Sequence, residues 1–416
     1  MSDSGLFKRA TELIPWGSQT NAKRHDPELG DLQPHFIERA EGCRIYDTDG
    51  KAFIDYRSSL GPIILGYNHP AVQEAVKQQL EKGVLFSMSS PIEVELAERL
   101  VALIPGVDQV RYLKSGNEVN HVAIRLARAF TGRDVIVTCG YHGHGDWFSC
   151  GEGKSMSWSW DRDGNGVPRA LDPYVIRVPY GDVDALEAVF AQRGHEIAGM
   201  MTVPYDWNEL VGRDFLKRAR ALTEKHGSVL MFDQILTGFR LGLAGAQEYF
   251  GIIPDLTTYG KAIANGYPLA VVGGKREHMK MFDRCMITTT HAGETLSIAA
   301  GLATLKILEE EPVYEHINKV GQMLSDGFDK LAADAGLDWR AFGLPVAVQF
   351  RFSEDPSEDN RLRKALFREL LKDGIFPSQP FLMNYAHQES DVEETLASME
   401  RAIGKLAGRV NTVGTD

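Results

Sequence analysis

The sequence predicts an α/β protein built on a mostly parallel sheet with helices on both faces. Three observations lead there. Between about residues 61 and 310, short apolar runs ("DVIVTC", "GMMTVPY", "SVLMFD", "LAVVGG") take turns with stretches of helical period. At 416 residues the chain is too long for one simple core, so further lobes are expected beside that unit. The run "SVLMFDQILTGFR", residues 228–240, also ends on Asp233, a carboxylate at the mouth of a buried strand that needs a cationic partner there.

Residues 1 to 60 read as a small leading lobe: a short helix, the polar loop "GSQTNAKRHDPELGD", and two strands around "CRIYDTDGKAFIDY", where Asp49-Gly50 is a hairpin signal. From 61 to 310 come helices at "HPAVQEAVKQQLEKG" and "PIEVELAERLVALIPG", a strand at "QVRYLKSG", a helix over 117–131, the apolar strands named above, a helix over 213–226, and one around 295–310. The third part, 311–416, holds two more helices, a strand at "VAVQFRF" and a closing helix near 391–407, after which "GRVNTVGTD" is expected to fray. There is no internal repeat and no low-complexity tract.

Apolar content of 43% and charged content of 25% are ordinary for a globular protein. A formal charge of -12, with no Lys/Arg cluster to offset it, argues against a nucleic-acid or anionic-membrane surface but allows local basic pockets. Cys43, Cys139, Cys150 and Cys285 are scattered with no CxxC, as suits reduced thiols. The start "MSDSGLFKRATELIPWG" has no apolar leader core and no long apolar span follows, so the expectation is a cytoplasmic enzyme.

Four stretches can carry chemistry. In "YLKSGNEVNHVAIRLARAFTG" a strand ends at Leu113, Ser115-Gly116 turn the chain, and a helix begins near Asn117 with Val119, Val122, Leu126 and Phe130 spaced as an apolar stripe. Its N-terminus offers backbone amides to an anion, or is a plain cap. In "CGYHGHGDW", His142, His144 and Asp146 have the HxHxD spacing of dinuclear metallohydrolases, although Trp147 stands where that pattern has another histidine. The stronger reading of the same loop is glycine-rich with hydrogen-bonded histidines and no metal, Tyr141 presenting a flat face to a planar ligand. Asp233 either caps a turn or meets a cation at the carboxyl edge of the sheet. In "DLTTYGKAIANGYPLAVVGG", Lys261 follows a strand and is solvent-facing, or else partly buried with a lowered pKa, fit for a Schiff base with a carbonyl. Pyridoxal phosphate asks for all four: a lysine, an acid against its ring nitrogen, an aromatic face, and an anion cradle.

The chain resembles the class III, fold-type I pyridoxal-phosphate aminotransferases, nearest their glutamate-1-semialdehyde 2,1-aminomutase branch. The likeness is dense in "DYRSSLGPIILGYNHPAV", "SGNEVNHVAIRLARAFTGRD", "GYHGHGDW", "MFDQILTGFRLGLAGAQEYFGIIPDLTTYGKAIANGYPLAVVGG" and "THAGETLSIAAGLATLKIL". It implies a large cofactor-binding domain, 61–310, and a small α+β domain assembled from 1–60 and 311–416. It implies Lys261 as the Schiff-base lysine, Asp233 as partner of the pyridine nitrogen, Tyr141 over the ring, and Ser115, Gly116 and Asn117 as the phosphate turn. Thr290 matches a threonine that reaches the phosphate from a neighbouring subunit, which implies a homodimer.

Departures bear on the substrate. Gln234 replaces a usual Glu and is expected to alter charge beside the ring; Leu60 replaces a Trp; the carboxylate-binding arginine of "SPVR" is missing, with Lys23 and Arg24 as stand-ins. Lys23, Arg24, Leu60, Ser87 and Met88 form the expected substrate set. The resemblance thus implies an aminotransferase passing an amino group from a small-molecule donor to a polar carbonyl acceptor, with an aminomutase or a racemase/epimerase as alternatives on the same cofactor. A metallohydrolase built on "HGHGD" is the alternative of another class.

Overall fold

The computed structural model describes residues 3–151, 166–205 and 209–413. The chain divides into two compact units, Met1–Pro70 with Pro312–Asp416, and Ala71–Glu311.

The first unit opens with α1 (Asp3–Leu13), followed by β1 (Ile37–Glu41), β2 (Arg44–Asp47) and β3 (Ala52–Asp55). β2 and β3 form the hairpin expected around Asp49-Gly50, where Gly50 takes φ +83 in the turn. Segment 61–70 stays with this unit because Gly42 and Tyr67 exchange backbone hydrogen bonds and the Tyr67 hydroxyl donates to Asp55 Oδ2 at 2.6 Å.

The second unit begins with α2 (Pro70–Leu80) and α3 (Pro91–Leu103). Then come β4 (Gln109–Leu113), α4 (Gly116–Thr131), β5 (Val135–Cys139), α5 (Asp146–Ser149), β6 (Val175–Arg177), α6 (Val183–Arg193), β7 (Ile197–Thr202), α7 (Glu209–His226), β8 (Val229–Gln234), α8 (Ala246–Phe250), β9 (Leu256–Tyr259), β10 (Ala270–Gly274), α9 (Arg276–Met279) and α10 (Thr295–Glu310). The seven strands lie in the order β4-β10-β9-β8-β7-β5-β6. Only β10 runs against its neighbours, so the sheet is mostly parallel, as expected. β5, β7, β8, β9 and β10 are buried along their whole length, as strands covered on both faces must be.

α4 lays Val119, Val122 and Leu126 on this sheet. Phe130, placed on the same stripe by spacing, is instead 40% exposed. It sits in the last turn before the Gly132 cap, where its ring packs on His278, 4.2 Å between centroids. The three-residue β6 escaped the sequence reading because it is too short to show a period; α7 starts four residues before the expected 213.

The chain returns to the first unit through α11 (Val313–Asp334), β11 (Arg340–Leu344), β12 (Ala347–Arg351), α12 (Pro356–Lys372), β13 (Ile375–Phe376), β14 (Phe381–Leu382) and α13 (Glu389–Val413). β13 adds in parallel to β3, so the C-terminal segment completes the sheet that the N-terminal one begins. α13 continues through most of the tail expected to fray, and residues 414–416 lie outside the described residues. Tyr56, fully buried, ties the two segments together: its ring stacks on His387 at 4.7 Å, and its hydroxyl and that of Thr395 are 2.8 Å apart.

Two glycines on helices of this unit test the packing. A Cβ at Gly321 of α11 would overlap the Pro345 carbonyl in the β11–β12 turn, whereas a Cβ at Gly404 of α13 meets nothing. Gly321→Ala is expected to destabilise by about 1–3 kcal/mol or more through overpacking. Gly404→Ala should stabilise by about 0.5–1 kcal/mol through lost unfolded-state freedom. Chemical denaturation of both variants checks the contrast.

Candidate active site

Four parallel strands deliver side chains to one edge of the sheet of the second unit. Ser115 and Gly116 follow β4, Tyr141 follows β5, Asp233 is the penultimate residue of β8, and Lys261 follows β9. β4, β5, β8 and β9 all point the same way, so these residues share the carboxyl edge, where ligands of such sheets bind.

Asp233 is 5% exposed, and the structure supplies its partners. Asn120 Nδ2 donates to Oδ2 at 2.7 Å, His142 Nδ1 lies 2.8 Å from the same oxygen, and the Ile235 amide donates to Oδ1 at 3.0 Å. His142 Nε2 lies 3.0 Å from the Cys139 carbonyl oxygen. Both ring nitrogens therefore face oxygens, which fixes the plane of the imidazole. Asn120 is itself fixed, accepting from the Thr258 hydroxyl at 2.7 Å.

Lys261 takes up φ +46, a left-handed backbone that costs a side-chain-bearing residue roughly 1–2 kcal/mol. Burial lowers its ammonium from the usual 10.5 to about 8; Asp233 pulls it back up and Arg240 pushes it further down. The residue as a whole is half-buried. Tyr141 is 43% exposed, its ring edge-on to Phe148 at 5.7 Å. Its hydroxyl is pushed up by burial and then by Asp233, which places it in that carboxylate's field.

At the start of α4 the Glu118 amide donates to Ser115 Oγ at 3.3 Å and the Ser115 amide donates to Glu118 Oε2 at 2.8 Å, a capping box. The Asn117 Oδ1 accepts from the amides of His144 and Gly145 at 3.0 and 2.9 Å, pinning the loop that carries Tyr141. The amides of Gly116 and Asn117 have no acceptor among the described residues, so they are the donors left for an anion.

Other expected residues fall elsewhere. Ser87 and Met88 are exposed between α2 and α3, and Thr290 is exposed before α10. In the first unit, Lys23 and Arg24 are exposed, with Arg24 5.7 Å over Trp16, and Leu60 is half-buried at φ +74 within four successive left-handed residues, 58–61. Two expectations are corrected. Gln234 cannot act beside Asp233, because neighbouring residues of a strand face opposite ways. Its amide is buried among Gln247, Thr257 and Tyr259 at 2.9–3.0 Å. The HxHxD spacing does not converge either: His142 is spent on Asp233 and Cys139 while His144 and Asp146 are exposed, and no metal-holding group of three exists among the described residues.

Asn120 and Arg240 were missed. Asn120 left one faint signal, a polar residue inside the buried face of α4; Arg240, fully buried, left none beyond its flanking glycines in "TGFRLG".

The donor set fits pyridoxal phosphate: a lysine of lowered pKa, a fully bonded buried carboxylate, an exposed aromatic face and two unsatisfied amides on one sheet edge. Comparison with known proteins agrees. The family model of class-III aminotransferases matches residues 28–403. The chain belongs to this family. Like other class III aminotransferases it is a pyridoxal-phosphate enzyme acting on small molecules, with the fold-type I architecture. It is 34% identical to a glutamate-1-semialdehyde 2,1-aminomutase of Natranaerobius thermophilus, over 96% of this chain and 97% of that one. Among solved structures it resembles FumI of Sphingopyxis sp. MTA144 in a PLP-bound form (28% identity, TM-score 0.88, 97% and 96% of the two chains). An omega-transaminase from Sphaerobacter thermophilus matches at 27% identity and TM-score 0.86, with 97% of each chain covered. No helix among the described residues of this class III aminotransferase is long and apolar enough to cross a membrane.

The depressed lysine has a stability consequence in the cofactor-free protein. The charged form is penalised on folding, so the penalty is fully present below about 8 and is lost as pH rises from there to 10.5, where the unfolded chain also loses the proton. Lys261→Met should therefore raise the thermal midpoint of the cofactor-free protein at pH 7, with the gain shrinking across that window. A gain independent of pH would mean that the ammonium is not desolvated.

Proposed function

We propose that the chain transfers an amino group from a small-molecule donor, L-glutamate being the first to test, to a polar carbonyl acceptor in two half-reactions with ping-pong kinetics. The observation that carries this is Lys261, an amine lowered to about 8 at the carboxyl edge of the sheet and coupled to Asp233. When bound, pyridoxal phosphate supplies an aldehyde carbon that takes up the amino group and a ring that withdraws electrons from the carbon losing its proton. Lys261 would hold the cofactor through its amine and would serve as the base and acid that moves the proton at the substrate carbon. Asp233, fixed by its three partners, would face the ring nitrogen. Tyr141 offers its face to the ring, and the Gly116 and Asn117 amides, with Ser115, hold the phosphate.

Thr290 is assigned to the phosphate of a second copy, which makes the enzyme a homodimer. The exposed apolar run Val84, Leu85, Phe86 and Met88, with Val94 beside it in sequence on α3, supports an interface on this unit. Of the two stand-ins, Lys23 is assigned to a substrate carboxylate, because Arg24 lines a cleft of the first unit; Leu60, Ser87 and Met88 are assigned to the substrate body. Four free cysteines, three of them buried, suit the cytoplasm.

The name of the Natranaerobius relative favours one second reading, an aminomutase in which donor and acceptor are the same molecule. Leu60 in place of Trp and the missing "SPVR" arginine favour intermolecular transfer. The absorption spectrum of the loaded enzyme separates them. Under our reading an external donor bleaches the visible cofactor band and is consumed stoichiometrically with acceptor; a band that no donor changes supports the mutase or a racemase. Lys261→Ala should lower turnover by at least about 10²–10⁴-fold while the protein stays folded, and an active variant would remove the assignment.

A further inference from the structure

The first unit contains a cleft of about 310 Å³ between the N-terminal segment and the α12–β13 region. That volume is at the lower end of small-molecule sites, roughly 300–1,000 Å³. Its lining includes none of the residues around Lys261. Four cations, Arg24, Arg57, Arg363 and Lys364, face one carboxylate, Asp26. In a chain of net charge -12 such an excess runs against the background.

Pairing sorts the four. Lys364 Nζ is neutralised by Asp26 Oδ2 at 3.2 Å and Glu28 Oε2 at 2.6 Å, and Arg363 Nη1 by Asp359 Oδ2 at 2.7 Å. Arg24 and Arg57 make no salt bridge among the described residues. The Arg57 guanidinium donates to the Ala22 carbonyl, a neutral partner that holds the group in place; Asp55 acts on its charge from nearby but forms no salt bridge with it. Arg24 is steadied by the Trp16 ring, again a neutral contact. On the same wall Gln379 gives its amide N–H to the Phe350 carbonyl at 3.2 Å, while its Oε1 is buried with no hydrogen-bond partner. An unfilled buried acceptor needs a donor. Phe367 and Phe376 add an apolar floor.

We propose that this cleft binds a small organic anion whose carboxylate or phosphate lies against Arg24 and Arg57 and whose hydroxyl or N–H satisfies Gln379. Planar guanidinium groups suit either oxyanion, so the two sources share one recognition chemistry. The proposal stands on the cleft and not on the cofactor reading. The ligand would act as an effector, read by the unit that does not carry Lys261.

The test is calorimetric titration of the cofactor-loaded protein with succinate, inorganic phosphate and glycerol 3-phosphate, for the wild type, Arg24→Ala, Arg57→Gln and Gln379→Leu. Saturable binding of at least one probe, weakened about tenfold or more in both arginine variants and reduced by salt, is the expected result. A preference for succinate marks a carboxylate ligand, and a preference for the phosphates marks a phosphate ligand. Gln379→Leu should weaken glycerol 3-phosphate, which carries hydroxyls, more than it weakens succinate. No saturable binding of any probe at millimolar concentration, or binding that both arginine variants leave unchanged, overturns the proposal. Because Arg57 also holds the Ala22 carbonyl, exposed Arg24 decides the matter if Arg57→Gln fails to fold. An anion bound instead at the Gly116–Asn117 amides would ignore both arginine variants, and a colourless protein would count against the cofactor reading while leaving this titration readable.

Discussion

The structure of the second unit depends on one requirement: Asp233 is buried, and a buried carboxylate survives only if every oxygen is met. Its partners come from three places, α4 through Asn120, the loop after β5 through His142, and its own chain through Ile235. Thr258 of β9 then holds Asn120. One carboxylate thus ties α4, β5, β8 and β9 together at a single edge. Loss of any donor would leave a charge unpaired, which makes the arrangement rigid.

That fixed charge sets the properties of its neighbours. Desolvation alone would strip the proton from Lys261 readily, and Asp233 opposes it, so the amine settles near 8 rather than lower. Arg240, buried in the same region, works with desolvation. The balance yields an amine that both holds and releases a proton near neutrality, the condition for a general base and acid. The left-handed backbone at Lys261 belongs to the same economy, since strain is tolerated where surrounding structure over-determines the conformation.

Much of this was legible. The runs "QVRYLKSG", "DVIVTC" and "SVLMFD", set between helical periods, marked strands of a mostly parallel sheet, and their ends marked Ser115, Tyr141 and Asp233 before any coordinates. What was not legible involved direction and distance. Gln234 adjoins Asp233 in sequence, yet the strand turns it to the other face and into a polar network. Phe130 keeps the period of its helix but lies past the point where the helix meets the sheet. Asn120, an ordinary polar residue by composition, matters only because Asp233, 113 positions away, needs a second donor.

The sequence by itself determined the fold class and the family and singled out the candidate lysine and acid, because periodicity and local motifs act over a few residues and survive in one dimension. Tertiary structure alone decided how those residues are charged and which neighbours hold them. Burial, desolvation and hydrogen-bond partnership are properties of where distant segments meet: His142 became a partner of Asp233, Lys261 an amine near 8, and Arg24 and Arg57 two cations in one cleft with no salt bridge among the described residues.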